Sequence, residues 1–139
     1  RSQPRAELVG AASFWQGVDV PGPALSCVIV DRLPFAAPGD PVLAARIAHL
    51  RAQRRDPLLE HQLPHAVLTL RQGLGRLLRG PDDRGVLVVC DPRLRAKSYG
   101  RVFLASLPPV PHTSALEDVQ AFFADPDLVR APTQARTSP

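Results

Sequence analysis

The sequence has few of the residues that cross-link a chain, bind metals through sulfur or carry a protein into a membrane. Its 139 residues include two cysteines, Cys27 and Cys90, and no methionine. Both cysteines lie in or at the end of apolar runs, where we expect buried free thiols and neither a disulfide framework nor a cysteine-based metal site. No apolar stretch approaches the ~18 residues of a membrane span, and residues 1–7 contain no signal-peptide core. We therefore expect a soluble cytoplasmic protein with no membrane partner.

Lysine is also scarce. Of the 17 basic residues only Lys97 is lysine, which we attribute to the codon bias of a GC-rich genome. The formal net charge of +4 and the pI near 10.0 fit a nucleic-acid or phosphate partner, but they fit a solvated basic surface equally well. With 45% hydrophobic residues the chain can fill one core, so we expect one domain or part of one.

Three apolar runs predict strands, at residues 6–10, 24–30 and 85–90. The last two lack polar alternation, which is typical of strands covered on both faces in parallel α/β sheets. Two helical patterns, over 41–53 and 63–79, separate these two strands, as in a right-handed crossover. The expected fold class is therefore α/β, with a mostly parallel sheet between layers of helices.

The second helical pattern has two distinct sides. Its apolar stripe consists of Leu63, Val67, Leu70, Leu74 and Leu77. These spacings keep the side chains on one side of a helix, which we expect to face the sheet. The opposite, polar side consists of Gln72, Gly75, Arg76 and Arg79.

Two guanidinium groups about one turn apart suit phosphate oxygens. A solvated basic face is the alternative. Gly73 and Gly75 favour a ligand, because each costs about 1 kcal/mol in an exposed helix interior. Gly75 would let a ligand or another backbone approach between the arginines.

A second candidate segment, S-F-W-Q-G-V-D-V-P-G at residues 13–22, follows the first predicted strand, where parallel sheets place their ligand loops. Gly17 allows close backbone approach, and Asp19 offers an acceptor for a hydroxyl or a guanidinium. A purely structural turn explains the segment equally well.

The chain divides near residue 110. Residues 1–110 form the compact part, which ends after a basic stretch at 93–101 and a short helix to about Leu107. Residues 111–139 form a C-terminal extension, with a short helix over 114–124 and a disordered tail.

Taken in order, S-F-W-Q-G-V-D and Q-G-L-G-R-L-L-R resemble motifs V and VI of superfamily 2 helicases. Further segments resemble the DinG/XPD branch of that superfamily: L-P-F at 33–35, D-P-V at 40–42, D-P-R-L at 91–94 and Y-G-R at 99–101. The resemblance covers about residues 7–109. One departure is Gln16, where we expect the family to carry glutamate.

The resemblance implies the second of two RecA-like domains, with a P-loop NTPase-type three-layer fold, in an ATP-dependent DNA helicase with a role in DNA repair. It implies that Arg76 and Arg79 are arginine fingers, and that Gly17, Asp19, Gln72 and Gly75 bind the nucleotide. ATP and Mg²⁺ would be bound mainly by the N-terminal motor domain of the same parent chain. Residues 1–139 contain neither G-x-x-x-x-G-K-[ST] nor D-E-x-[HD], so we expect the isolated chain to be inactive.

The resemblance also implies single-stranded DNA as a partner. The candidate contacts are Ser13, Trp15, Arg93, Arg95 and Lys97, with Phe14 and Arg101 as further candidates. Buried aromatic rings and a solvated basic loop are the alternatives. Two cysteines cannot hold the four-cysteine iron–sulfur cluster of family members, so we expect none here. His61 and His65 have a metal-ligand spacing, but Pro64 lies between them and a third ligand is missing, so we expect no metal.

Two other function classes remain open. One is a truncated, non-catalytic RecA-like module that binds nucleic acid or protein. The other is a small phosphate-ester enzyme, but this sequence shows no nucleophile–base pair that such an enzyme would need.

Overall fold

The computed structural model describes residues 26–78 and 83–124 of the chain. The strands are β1 (Cys27–Val30) and β2 (Val86–Val89), and the helices are α1 (Pro41–Ala52), α2 (Leu63–Leu77), α3 (Arg93–Ala96), α4 (Gly100–Ser106) and α5 (Leu116–Ala124). A π-helical turn, Leu58–Gln62, leads directly into α2. The strand predicted at 6–10 and the tail after 124 lie outside the described residues.

Strands β1 and β2 pair in parallel, with Cys27 opposite Val86 and Val30 opposite Val89. The pairing continues past β2, where the backbone N–H of Cys90 donates to the Val30 oxygen at 2.9 Å. The predicted parallel strands and the helical crossover between them are thus confirmed. Burial on both faces is not, because Ile29 is 66% exposed. Helix α2 packs on both strands, and none of the described elements covers Ile29.

The two cysteines also depart from expectation. Cys27 is partly buried in β1, and burial raises the pKa of its thiol. Cys90 is exposed, because it lies one residue beyond the end of β2. Both are free thiols.

Helix α1 begins where the sequence predicts it. The Asp40 side chain accepts from the backbone N–H groups of Val42 and Leu43 at 2.8 and 3.3 Å, and Pro41 occupies the first turn. These groups would otherwise lack partners at the start of a helix. Leu43 and Leu50 are buried, whereas Val42 is 74% exposed. The prediction that Val42 lies on a buried apolar face is therefore wrong.

Helix α2 confirms the two-sided pattern. Its buried residues are Leu63, Ala66, Leu70, Gly73, Leu74 and Leu77. Val67 is only partly buried, and Ala66 and Gly73 join the stripe instead, because small residues let the helix lie close to its neighbours. Gly73 therefore belongs to the packed side of the helix. Burial of such a stripe stabilises α2 by about 1.5–3 kcal/mol for each large side chain.

The core lies where α2 meets α4 and the ends of the strands. It consists of Val30, Leu33, Leu63, Ala66, Leu70 and Phe103. Phe103 is fully buried, and its ring lies 5.8 Å from the ring of Phe35 in an edge-to-face arrangement. Phe35 makes a similar contact with Tyr99 at 5.7 Å. The loop after β1 is thereby fastened to α4.

Helix α5 occupies almost the predicted range. The Thr113 hydroxyl accepts from the backbone N–H of Ala115 at 3.0 Å, just before the helix begins at Leu116. Leu116 and Phe123 are 66% and 50% exposed, so the apolar face is present but largely uncovered. Among the described residues no helix is long and apolar enough to cross a membrane.

Candidate nucleotide and nucleic-acid sites

The polar side of α2 is accessible. Gln72 and Gly75 are exposed and Arg76 is partly buried. A Cβ atom added at Gly75 would meet nothing within 4 Å, so a ligand or another backbone has room beside Arg76. The predicted polar side is confirmed for these three residues, although their chemical role is not tested by their placement.

The end of α2 is held tightly against the sheet. A Cβ atom added at Gly85, just before β2, would lie 2.3 Å from Cδ1 of Leu77. This close approach fixes the last turn of α2, and with it Arg76, at the end of the sheet where β2 begins.

Several predicted site residues lie outside the described residues. They are Ser13, Trp15, Gly17, Asp19 and Arg79. Their proposed roles remain predictions.

The opposite end of the sheet carries a buried carboxylate. Asp91 follows β2, and its side chain is 4% exposed. Its Oδ2 accepts the backbone N–H of Leu33 at 2.8 Å, and Oδ1 accepts the backbone N–H of Arg93 at 2.9 Å. The carboxylate thus ties the end of β2 to the loop that follows β1.

Arg93 completes this arrangement. Its Nε donates to both Asp91 oxygens at 3.0 Å and its Nη2 to Oδ2 at 2.6 Å. The guanidinium carbon lies 5.3 Å from the Phe35 ring centroid, within the range of a cation–π contact. Hydrogen bonds from Arg93 and from the backbone hold the pKa of Asp91 well below its ordinary value, against the opposing effect of burial. The same pairing raises the pKa of Arg93.

This geometry changes the interpretation of Arg93. The sequence suggested a free cation for DNA phosphates, whereas the structure places its charge against Asp91. With 41% of its side chain exposed, Arg93 retains an accessible edge. Its main contacts, however, position the segment that follows.

That segment forms a basic hollow. It is an open cavity of about 470 Å³ at the corner between α3 and α4. Its lining consists of Leu94, Arg95, Ala96, Lys97, Ser98, Arg101 and Leu104. Three of these side chains are cationic and exposed, and none of the described residues that line the cavity is acidic. The corner brings together Arg95 and Lys97, both predicted as DNA contacts, and adds Arg101.

The corner depends on Gly100. A Cβ atom at this position would lie 1.8 Å from the backbone oxygen of Leu94. Only a residue without a side chain allows α4 to start so close to α3. The glycine of the Y-G-R segment is therefore required by the packing of α4 against α3, and its arginine lines the basic hollow.

The chain is similar in sequence to known proteins. The sequence model of the helicase C-terminal domain family matches residues 1–110. The chain belongs to this family. ATP-dependent DNA helicase YoaA of Escherichia coli (strain K12) is 55% identical over 121 residues, which are 87% of this chain and 19% of that protein.

Two DinG proteins are also similar to this helicase C-terminal domain. ATP-dependent helicase DinG of Mycobacterium tuberculosis (strain ATCC 25618 / H37Rv) is 47% identical over 114 residues, 82% of the chain and 17% of the relative. The protein named 3'-5' exonuclease DinG of Bacillus subtilis (strain 168) is 45% identical over 104 residues, 75% of the chain and 11% of the relative. The chain thus spans less than a fifth of the length of these relatives.

The comparisons confirm the resemblance and the expected fold class. The described strands and helices are part of a RecA-like α/β helicase C-terminal domain of the DinG type. Among the described residues, no group of three or more histidine, cysteine, aspartate or glutamate side chains could hold a metal ion.

Asp91 and Phe35 were missed as site-forming residues in the sequence. A sequence signal existed, since an acid follows the apolar run at 86–90 and an arginine follows it two residues later. That pattern gives no distance, however, and only the fold shows that the carboxylate reaches Leu33, 58 residues away in sequence.

Proposed function

We propose that this helicase C-terminal domain completes the motor of an ATP-dependent DNA helicase. In that motor, ATP binds between this domain and an N-terminal motor domain of the same parent chain, which also holds most of the Mg²⁺ ligands. Arg76 and Arg79 supply positive charge to the γ-phosphate, and single-stranded DNA contacts the basic hollow. The relatives' names support ATP-dependent DNA helicase activity as the function of the whole protein.

The observation that carries the nucleotide role is the open polar side of α2. Gly75 leaves free space directly beside Arg76, at a position where an exposed helix otherwise favours alanine. A guanidinium placed there can stabilise the charge that builds up on the phosphoryl group during transfer. Gln72, one turn earlier on the same side, is placed to orient the arginine or contact the nucleotide.

The basic hollow supports a separate role for the other end of the sheet. Arg95, Lys97 and Arg101 converge without an acidic neighbour in the lining, so a phosphate backbone gains charge-assisted hydrogen bonds there. The two candidate sites are separated by at least the length of β2, about 10 Å. Nucleotide and DNA can therefore be bound at the same time, which a motor requires.

The segment S-F-W-Q-G-V-D extends this proposal. Asp19 and Gly17 would contact the nucleotide, and Ser13 and Trp15 the DNA strand. This one segment would then contact both ligands and couple their binding.

The test is reconstitution of the motor from two pieces. This chain is mixed with a separately expressed N-terminal motor half of a related helicase, and ATP hydrolysis is measured with and without single-stranded DNA. We expect DNA-stimulated hydrolysis to be restored and then lost in Arg76→Ala and Arg79→Ala, by roughly a hundredfold or more, because arginine fingers contribute about 10³-fold or more in other NTPases.

Arg71→Ala is the matched control, since Arg71 is an exposed arginine on the same helix but outside the polar side. Equal losses in all three variants would contradict an arginine-finger role. No restoration with folded protein would favour the non-catalytic binding module instead.

A further inference from the structure

A second hollow lies between the first turn of α1 and the junction of the π-helical turn with α2. Its volume is about 200 Å³. Its polar lining consists of Asp40, Arg46, His61, Gln62 and His65, and Leu43 is among its apolar residues. We call it the histidine hollow. Neither the nucleotide site nor the basic hollow uses any of these residues.

The two histidines lie close to each other. Their ring centroids are 6.5 Å apart, so both imidazoles lie on one side of the helix. His61 lies in the π-helical turn, and His65 lies in the first turn of α2. π-Helical turns are rare, and they frequently lie at functional sites.

The π-helical turn is held in place at its start. The Asp56 side chain accepts from the backbone N–H groups of Leu58 and Leu59, and Arg55 forms an ion pair with Glu60. The preceding Arg54 has a φ of 58°, a left-handed conformation that costs energy for a residue with a side chain. The chain therefore maintains an unfavourable turn shortly before the π-helical turn that carries His61.

The chemistry of the lining favours an anion. Arg46 offers a guanidinium, His61 and His65 offer ring N–H groups, and Gln62 offers an amide. Asp40 is the one carboxylate, and its Oδ1 is already engaged by two backbone N–H groups at the start of α1. Donors therefore outnumber the remaining acceptors, which is the balance that phosphate oxygens require.

The position of the hollow suggests where the phosphate comes from. It lies beyond the carboxyl end of β1, and the basic hollow lies beyond the carboxyl end of β2, which is the same edge of a parallel sheet. The two are linked through the aromatic contact of Phe35 with Tyr99, because Ala36 lines one hollow and Ser98 the other. A single polyanion crossing this edge could contact both.

We propose that the histidine hollow binds a phosphate group, and that in the helicase this phosphate belongs to the DNA strand held by the basic hollow. The proposal of a phosphate site is argued only from the residues that line the histidine hollow. The proposal that the phosphate belongs to DNA rests on the proposed function.

The experiment uses the histidines as reporters. The chain contains four histidines, so their ring signals in an NMR spectrum can be assigned with single His→Gln variants. The folded 139-residue chain is titrated separately with inorganic phosphate, ATP and oligothymidylate. We expect the signals of His61 and His65 to shift, while those of His49 and His112 stay in place.

Affinity measurements provide the second readout. We expect Arg46→Ala to weaken oligothymidylate binding about fivefold and to reduce its salt dependence, since one phosphate contact is lost. Arg51→Ala removes the same charge from an exposed position on the same helix and should change the affinity less than twofold.

The outcomes separate the two statements. Shifts with inorganic phosphate or ATP but not with oligothymidylate would support the phosphate site and overturn the DNA source. No selective shift with any probe, or equal losses in Arg46→Ala and Arg51→Ala, would overturn the phosphate site. Unchanged DNA affinity in an Arg95→Ala, Lys97→Ala double variant would contradict the basic hollow of the proposed function instead.

Discussion

A Cβ atom at Gly100 would lie 1.8 Å from the Leu94 backbone oxygen, whereas one at Gly75 would meet nothing within 4 Å. The two glycines therefore serve different purposes. Gly100 is required by the packing of α3 against α4 within this domain. Gly75 has no internal requirement of this kind, because a Cβ atom there would contact none of the described residues.

Replacement of these glycines gives opposite predictions at the residue scale. Gly100→Ala should destabilise the domain by about 2–4 kcal/mol, because a backbone atom must move. Gly75→Ala should leave stability unchanged or raise it by up to about 1 kcal/mol, because alanine is the better helix former. Urea unfolding measures both, and a stable Gly100→Ala variant would contradict the packing reason.

Asp91 gives a pH-dependent prediction. Its folded-state pKa lies below the ordinary value of 3.8, so its contribution to stability is full at neutral pH and is lost as the pH falls below that value toward the lowered one. Asp91→Asn should cost about 1–3 kcal/mol at pH 7, because Arg93 loses its partner but can still reach water.

The difference between wild type and Asp91→Asn should narrow as the pH falls from 5 to 2 in urea unfolding experiments. Asp31→Asn is the control, because Asp31 is 92% exposed and lies near the end of β1. A difference that is constant with pH would mean that the ion pair with Arg93 does not stabilise the fold.

At the scale of elements, the corner between α3 and α4 is short in sequence but depends on distant contacts. Asp91 binds Arg93, the first residue of α3, and the rings of Phe35 and Phe103 pack against Tyr99 between α3 and α4. Arg95 and Arg101 lie on two helices of four and seven residues, and Lys97 lies between these helices. Helices this short would not be stable by themselves. The hollow is therefore a product of tertiary packing.

The corner should bind single-stranded DNA through its phosphates. The double variant Arg95→Ala, Lys97→Ala should lower the affinity about tenfold or more and reduce the slope of log affinity against log salt by up to about 1.4, since each phosphate contact in a single strand contributes about 0.7. Fluorescence anisotropy at several salt concentrations measures this slope. An unchanged slope would show that the residues of the corner do not contact the DNA phosphates.

At the scale of the whole molecule, the described part of the domain has its two candidate sites at opposite ends of one parallel sheet. The chain contains neither a phosphate-binding glycine loop nor the acidic motif for Mg²⁺. We therefore expect the isolated, folded chain to show no DNA-stimulated ATP hydrolysis above a buffer control. Robust turnover, measured after removal of contaminating ATPases, would contradict a role that needs a second motor domain.

The sequence by itself determined the order of β1, α1, α2 and β2, the apolar stripe of α2 and the family, whereas it did not predict helix α3 or the π-helical turn. The correct predictions follow from periodicity and from local motifs, which depend on neighbouring residues. The ranges predicted for α1, α2 and β2 differ from the observed ones by at most two residues at each end. The polar side of α2 was also correct for Gln72, Gly75 and Arg76, because a helix with a buried stripe necessarily exposes the side opposite to it.

Only the tertiary structure decided how the site residues are used. It paired Arg93 with Asp91, brought the Asp91 carboxylate to the Leu33 backbone and exposed Cys90 and Val42 against expectation. It also showed that a side chain at position 100 would clash with the Leu94 backbone oxygen, whereas one at position 75 would meet open space. The physical reason is that burial and ion pairing depend on distances between residues far apart in sequence, and a pattern of residue types contains no such distances.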